Sequence, residues 1–324
     1  MRWSCLLSAL VLIEASLVMA PRAATAQDYP AKQITLVVAF APAGSADSVT
    51  RIVVDRLSAR LGGVSIVVEN RGGAGGNLAA KQVAAAAADG YTVLVTTTAV
   101  AINETLYKNK GYATEDLRPV AIAASFPEVL ACSVSNPAKD LQDFLRALKD
   151  KGISYSSAGV GTPSFIQAEY FFKTLAQIKA VHVPFAGGAP AVAAAMGNHV
   201  DLVASALPTA SQLINQGKLK GLAVASRDRA AAVPSVPTYA EGGFPDYLAL
   251  TWVGFLVPSK TDDAVVARLN AAINETLGEP GVQERLRNIA FEPMRGTPAE
   301  ASSYFRSEVE NWGKRVRTIG YFVE

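Results

Sequence analysis

The chain has 324 residues, 50% of them hydrophobic, with 30 basic and 28 acidic side chains and a formal net charge of +2. That length is enough for two domains of ordinary size, each with its own core. The charges nearly balance and form no run or basic stripe, which argues against a nucleic-acid partner.

Residues 1–26 read as an export signal. Arg2 supplies the positive start, CLLSALVLIEASLVMA is an apolar segment interrupted by Glu14, and Ala24-Thr25-Ala26 fits an A-x-A cleavage site. Cleavage is therefore expected after Ala26. The segment is too short and too interrupted for a good membrane anchor. Removing its 26 residues from 324 leaves 298, and the loss of Arg2, Arg22 and Glu14 leaves 28 basic and 27 acidic side chains. Only Cys132 of the two cysteines remains, so the mature chain has no internal disulfide. An exported chain of this kind suits a bacterial periplasm better than a small stapled secreted fold.

Short β-branched runs then alternate with longer amphipathic ones. ITLVVAF (34–40), VSIVVEN (64–70) and YTVLVTT (91–97) are expected strands, apolar throughout as in a parallel sheet covered on both faces. Between them a helix over 48–61 places Val49, Ile52, Val53, Leu57 and Leu61 on one face, and an alanine-rich helix spans about 77–88. The order β-α-β-α-β predicts right-handed crossovers and ligand binding at the carboxyl ends of the strands.

After Pro119 the pattern restarts. VAIAASFPEVLACSV holds two apolar stretches broken by Pro127, followed by a helix over 138–150 and the strand ISYSS (153–157). Further elements are a helix from about 163, the strand AVHVPF (180–185), a helix over 189–197 and the strand HVDLVAS (199–205). A helix from about 208 and the strand LKGLAVAS (219–226) complete this second α/β unit. LALTWVGFLVP (248–258) reads as a strand crossing between domains, and two closing helices span roughly 262–278 and 298–318.

Four small-residue loops sit between strands and helices. In AFAPAGSADSV, Ser45 is a candidate N-cap and Asp47 falls in the first helical turn, where it complements the helix dipole. The same loop can be a plain helix cap or an anion site for a phosphate or a carboxylate, because free N–H groups at a helix start attract anions. ENRGGAGGNLAA (69–80) fits the dinucleotide fingerprint poorly: Leu78 stands where glycine or alanine is needed, and no acidic residue ends the next strand. It is read as a loop bracing the first. SSAGVGTPSFIQAEYF (156–172) and PFAGGAPAVAAAMG (184–197) repeat the device in the second unit, with Thr162 as a cap and Pro163 at the first helical position. Glycine-rich helix starts in both units point to a ligand clamped between them.

Enzyme signatures are scarce. There is no G-x-S-x-G, H-E-x-x-H or Walker motif, and no metal-ligand spacing, so neither a catalytic residue, a metal nor a cofactor is assigned. His182 and His199 read as structural or solvent-exposed, Cys132 as a buried thiol, and Trp252 and Trp312 as packing residues.

In this order, YPAKQITLVVAFAPAGSADSVTR, VVENRGGAGGNLAAKQVAAAAADGYTVLV, GVGTPSFIQAEYF, VPFAGGAPAVAAAMGNHVDLV and VPTYAEGGFPDY resemble the Bug-type solute-binding proteins of tripartite tricarboxylate transporters. The resemblance spans nearly the whole mature chain. It implies a two-domain periplasmic-binding-protein clamshell (type II-like), each domain a mainly parallel α/β sheet flanked by helices. Domain 1 would be 27–124 plus 249–324 and domain 2 would be 125–248, with crossings near 121–131 and 248–257. The implied function is capture of a small di- or tricarboxylate or aromatic acid by a periplasmic monomer, and its delivery to a two-component integral-membrane permease. Carried over by position, the ligand-binding residues are Phe40, Ala43, Gly44, Ser45, Ala46 and Asp47, facing Gly159, Gly161, Thr162, Ser164, Gly188, Ala189 and Asp201, with Asn77 and Thr98 as further candidates. Asp47 is expected to accept loop N–H groups and fix the turn, or to meet a polar end of the ligand. The family usually has Gly-Gly where this chain has Ala43-Gly44, and commonly histidine where it has Phe165. These departures point to the Ala43 methyl and a more apolar second-domain wall as sources of ligand preference. Two other readings stay open: a ligand-binding partner of a sensor kinase, and a cleft enzyme using Asp47 and Asp201.

Overall fold

The computed structural model describes residues 29–148 and 151–324. The expected export signal and its cleavage site lie outside the described residues. The elements are β1 (Ile34–Val38), α1 (Ser45–Arg60), β2 (Ile66–Asn70), α2 (Asn77–Ala84), β3 (Thr92–Thr97), α3 (Ala99–Leu106), β4 (Leu117–Ser133), α4 (Leu141–Leu148), β5 (Ile153–Ser157) and α5 (Pro163–Tyr170). They continue with β6 (Ala180–Pro184), α6 (Gly188–Met196), β7 (Leu202–Ala206), α7 (Leu207–Asn215), β8 (Leu219–Val224), β9 (Leu250–Pro258), α8 (Asp263–Gly278), α9 (Pro280–Arg287), β10 (Glu292–Pro293) and α10 (Pro298–Ile319).

Two parallel cores stand side by side, β2-β1-β3 and β6-β5-β7. The antiparallel strands β4 and β9 join them. β4 pairs with β9 from Leu117 to Pro127 and then changes partners, meeting β7 and β8 from Glu128 to Ser133. Pro127 therefore does not divide the segment into two strands, as its sequence suggests. It sits where one ladder ends and the next begins, the place in a sheet where a residue without an N–H costs least. The chain returns at Ala249, whose N–H donates to Ala225 O before β9 joins the first sheet.

The expected face of α1 is buried: Val49, Ile52, Val53 and Leu57 pack with Leu36, Val38 and Phe255 against α8. In the second half Val129, Val203, Ala191 and Val192 form a core beneath α6 and α7. α10 crosses the back of the molecule, touching α3, β4 and α5. No helix among the described residues is long and apolar enough to cross a membrane.

Two sequence expectations are corrected, and one unassigned segment is filled. The alanine-rich helix stops at Ala84 rather than near 88, because residues 85–88 run into the Asp89-Gly90 turn with little to bury. The segment between β3 and Pro119, to which the sequence assigns no element, contains α3, whose apolar run Ala99 to Ile102 is buried as a block and carries no helical stripe. The C-terminal region holds three helices, α9 being started by Pro280 directly after α8.

Candidate functional site

A cleft of about 560 Å³, counting the part open to solvent, lies between the two halves at the carboxyl ends of the parallel strands. Its first wall is Phe40, Ala41, Pro42, Gly44 and Ser45 of the β1–α1 turn, with Thr97 at the end of β3. The opposite wall comes from the starts of α5 (Thr162, Pro163, Ser164) and α6 (Gly187, Gly188, Ala189, Pro190), with Ala206 and Thr209 at the start of α7. The strands that join the halves contribute Phe126, Glu128 and Thr251.

Four helix N-termini thus meet at one cleft, and none has a side-chain cap. Gly44 rather than Ser45 occupies the N-cap position of α1. Thr162 is the N-cap residue of α5, but its hydroxyl donates to Gly159 O at 2.6 Å and leaves the helix N–H groups free. By contrast α8 is capped by Asp262, and α10 by the reciprocal pair Thr297 and Glu300. α2, α3 and α9 also lack caps, so it is the convergence of four open starts that marks the cleft. Each start presents unpaired N–H groups and the positive end of a helix dipole, a combination suited to an anion.

Of the sequence candidates, Phe40, Gly44, Ser45, Thr162, Ser164, Gly188 and Ala189 line the cleft. Ala43, Ala46, Asp47, Asn77, Thr98, Gly159, Gly161 and Asp201 are not among its lining residues. Asp47 is buried beneath the turn, where Oδ2 accepts from Ala43 N–H (2.9 Å) and Arg51 Nε (2.8 Å) and Oδ1 accepts from Asn70 Nδ2 (2.9 Å). Burial alone would raise its pKa; the hydrogen bonds from Arg51, Ala43 and Asn70 outweigh that and hold the carboxyl below its usual value. Asp47 is thus occupied with fixing the turn. Asn70 also donates to Phe40 O at 3.1 Å, and Arg71 N–H to Val38 O, so the second glycine-rich loop does brace the first.

Other displaced candidates have equally definite partners. Asn77 Oδ1 accepts from Asn103 and Tyr112, and Thr98 Oγ1 accepts from Trp252 N–H, tying β3 to β9. Asp201 precedes the first residue of β7, at the end of the sheet away from the cleft, and accepts from Ser154 N–H and Oγ. A carboxylate pair of Asp47 with Asp201 therefore does not exist, which removes the basis of the cleft-enzyme reading. Gly159 and Gly161 shape the β5–α5 loop; a Cβ on Gly161 would lie 2.8 Å from Asn103 Oδ1, where this loop meets α3 of the other half.

The two sequence departures also have structural readings. Ala43 is exposed and holds φ at +63°, a left-handed backbone that costs an alanine about 1–2 kcal/mol. Its methyl is outside the cleft lining, so its cost falls on the turn's backbone. Glycine would recover the strain but lose part of it to unfolded-chain entropy. Ala43→Gly is therefore expected to raise stability by about 0.5–1 kcal/mol, read by urea unfolding. Phe165 is fully buried, 4.5 Å from the His182 ring and 4.9 Å from Tyr321, and forms core rather than cleft wall. Burial lowers the His182 pKa to about 4, and its Nε2 lies 2.7 Å from Ser157 Oγ, in keeping with a structural histidine.

Glu128 is a cleft-lining side chain that the sequence candidates do not include. It is the only charged residue between Arg118 and Lys139, and that isolation within a strand is the signal it gives. It is also the only ionisable side chain among those lining the cleft. Thr97 was missed by one position: it continues the face of Val93 and Val95, whereas Thr98 lies beyond the strand end.

The family model described as the tripartite tricarboxylate transporter family receptor matches residues 49–321. BugT of Bordetella pertussis is 33% identical over 306 residues, covering 91% of this chain and 92% of that protein. Among solved structures, the periplasmic binding protein BugD superposes with a TM-score of 0.86 at 28% identity, covering 91% of this chain and all of that one. MatC from Rhodopseudomonas palustris, with bound malate, gives a TM-score of 0.84 at 30% identity, covering 89% of this chain and all of its own. A second protein of that organism, with adipate, gives 0.87 at 31%, covering 92% of this chain and all of its own.

Proposed function

The chain belongs to the tripartite tricarboxylate transporter receptor family, and from that premise we propose that it captures a small carboxylate-containing acid in the periplasm and delivers it to a tripartite tricarboxylate-type permease. The family consists of solute-binding receptors rather than enzymes, and the fold is their two-domain periplasmic-binding-protein fold. The observation that carries the reading is the meeting of four uncapped helix starts at a cleft with no cationic side chain. Backbone N–H groups there can bind a carboxylate by charge-assisted hydrogen bonds, each worth about 1.5–3 kcal/mol. Malate and adipate in the two structural neighbours support the same ligand class.

In this reading the chain is exported and cleaved after Ala26, and works as a monomer. Residues 27–124 with 249–324 form one jaw and 125–248 the other. The jaws hinge where β4 changes partner at Pro127–Glu128 and where the chain returns at Ala249–Leu250. Ligand shifts the population toward the closed form, and the permease engages that form.

A thermal-shift screen of the mature protein against dicarboxylates, tricarboxylates, aromatic acids, amino acids and sugars tests the ligand class. A ligand at 100 times its dissociation constant adds about 2.7 kcal/mol of stability. Carboxylates are expected to raise the melting temperature and neutral sugars to leave it unchanged; the reverse pattern sinks the reading.

A further inference from the structure

Glu128 presents an unusual combination. It is 6% exposed, lines the cleft, and stands at the point where β4 passes from one sheet to the other. Oε1 takes a 3.0 Å hydrogen bond from Thr251 Oγ1, while Oε2 is buried without a partner. No lysine, arginine or histidine lines the cleft to neutralise it. A carboxylate buried with one hydrogen bond and no counter-ion is strongly disfavoured, whereas the neutral acid needs only an acceptor for its proton.

We propose that Glu128 sets the specificity of the cleft: as a carboxylic acid it donates from Oε2 to an oxygen at the far end of the ligand, while the helix starts hold the ligand's first carboxylate. The proposal rests on the carboxylate reading above and narrows it. Thr251 already occupies Oε1, so Oε2 is the oxygen with a proton to offer. With the N–H groups of four helix starts, the cleft then offers mainly donors. It matches a ligand with oxygen acceptors at both ends, such as a dicarboxylate, and it rejects a zwitterion only if Glu128 stays neutral, since an ionised Glu128 would pair with an ammonium group.

The protonation argument agrees. Burial pushes the Glu128 pKa up to about 8, opposed only by the hydrogen bond from Thr251. The titratable groups that feel its charge are the phenols of Tyr239 and Tyr247, which burial keeps neutral through this range. α1, α5, α6 and α7 bring no ionisable side chain to the cleft lining. Binding to the protonated form gives an affinity that is flat below about pH 8 and falls above it, by about tenfold per pH unit once Glu128 ionises.

The test is calorimetric titration of the mature protein with the straight-chain dicarboxylates from malonate to suberate and with ω-amino acids of matching length, from about pH 6 to about pH 9.5. The wild type is expected to prefer a dicarboxylate and to lose affinity above pH 8. Glu128→Gln, which keeps a donor, should bind that ligand within about threefold at pH 7 and lose the pH dependence. Glu128→Met, similar in size without a donor, should lose at least tenfold. An infrared difference spectrum of wild type against Glu128→Gln should show a protonated-carboxyl C=O band at pH 7 that shifts on binding. Preference for an ω-amino acid, affinity that rises or stays level with pH, or equal binding by Glu128→Met overturns the proposal while leaving the carboxylate reading intact. If no carboxylate binds the wild type, the carboxylate reading fails and this proposal falls with it.

Discussion

Gly44→Leu is expected to abolish ligand binding and leave the fold in place. Gly44 is the N-cap of α1, with φ −79° and ψ 172°, a conformation open to any residue. Space is therefore the deciding factor. A Cβ there would lie 3.2 Å from Ala41 O and 3.9 Å from Phe40 Cβ, both on residues that line the cleft, so a longer side chain must push into the volume the ligand needs. Losing two charge-assisted hydrogen bonds to the α1 start would cost about 3 kcal/mol or more, on the order of a hundredfold in affinity. Titration of the variant with whichever carboxylate binds the wild type provides the measurement, with circular dichroism and the melting temperature as controls. Binding within threefold of wild type would show that this turn does not hold the ligand.

The largest loss of stability is expected from Trp252→Ala, about 3–5 kcal/mol by chemical denaturation. Trp252 is fully buried in β9 beside α10, with Tyr304 and Phe305 packed edge-on against it. Its indole N–H donates to Glu308 Oε2 at 3.0 Å, the same oxygen that accepts from Trp312, so truncation removes packing and also unbalances a shared acceptor. Its backbone N–H donates to Thr98 Oγ1, a bond that alanine retains, so the expected loss comes from the side chain alone. A loss below about 1 kcal/mol would mean that α10 re-packs freely. Trp252→Phe, which keeps most of the volume but not the N–H, separates packing from the hydrogen bond: it should lose roughly 1–2 kcal/mol.

The strand and helix order was legible because its signals are local. β1, β2 and β3 follow continuous apolar runs, and α1 buries the face that its periodicity marks. α3 is hard to read from sequence because Ala99, Val100, Ala101 and Ile102 are buried as a continuous run, without the spaced apolar pattern of an amphipathic helix. Pro127 reads as a break because proline ordinarily ends a ladder; here the ladder ends anyway, because β4 leaves β9 for β7 and β8, strands far from it in sequence.

In AFAPAGSADSV the sequence by itself determined that a strand gives way to a helix through small residues and that Asp47 sits in the first turn, and it left a capped helix and an anion site both open. Those properties follow from residue chemistry within a few positions. Only the tertiary structure decided which of these residues reach the cleft. It turned Asp47 inward to Ala43, Arg51 and Asn70, set Ala43 outside with a strained backbone, and left Gly44 and Ser45 at the cleft wall. It also brought Glu128 and Thr251, distant in sequence, together beside three more helix starts. A side chain's charge state and direction depend on what surrounds it in space, and those neighbours come from strands and helices that local pattern cannot pair.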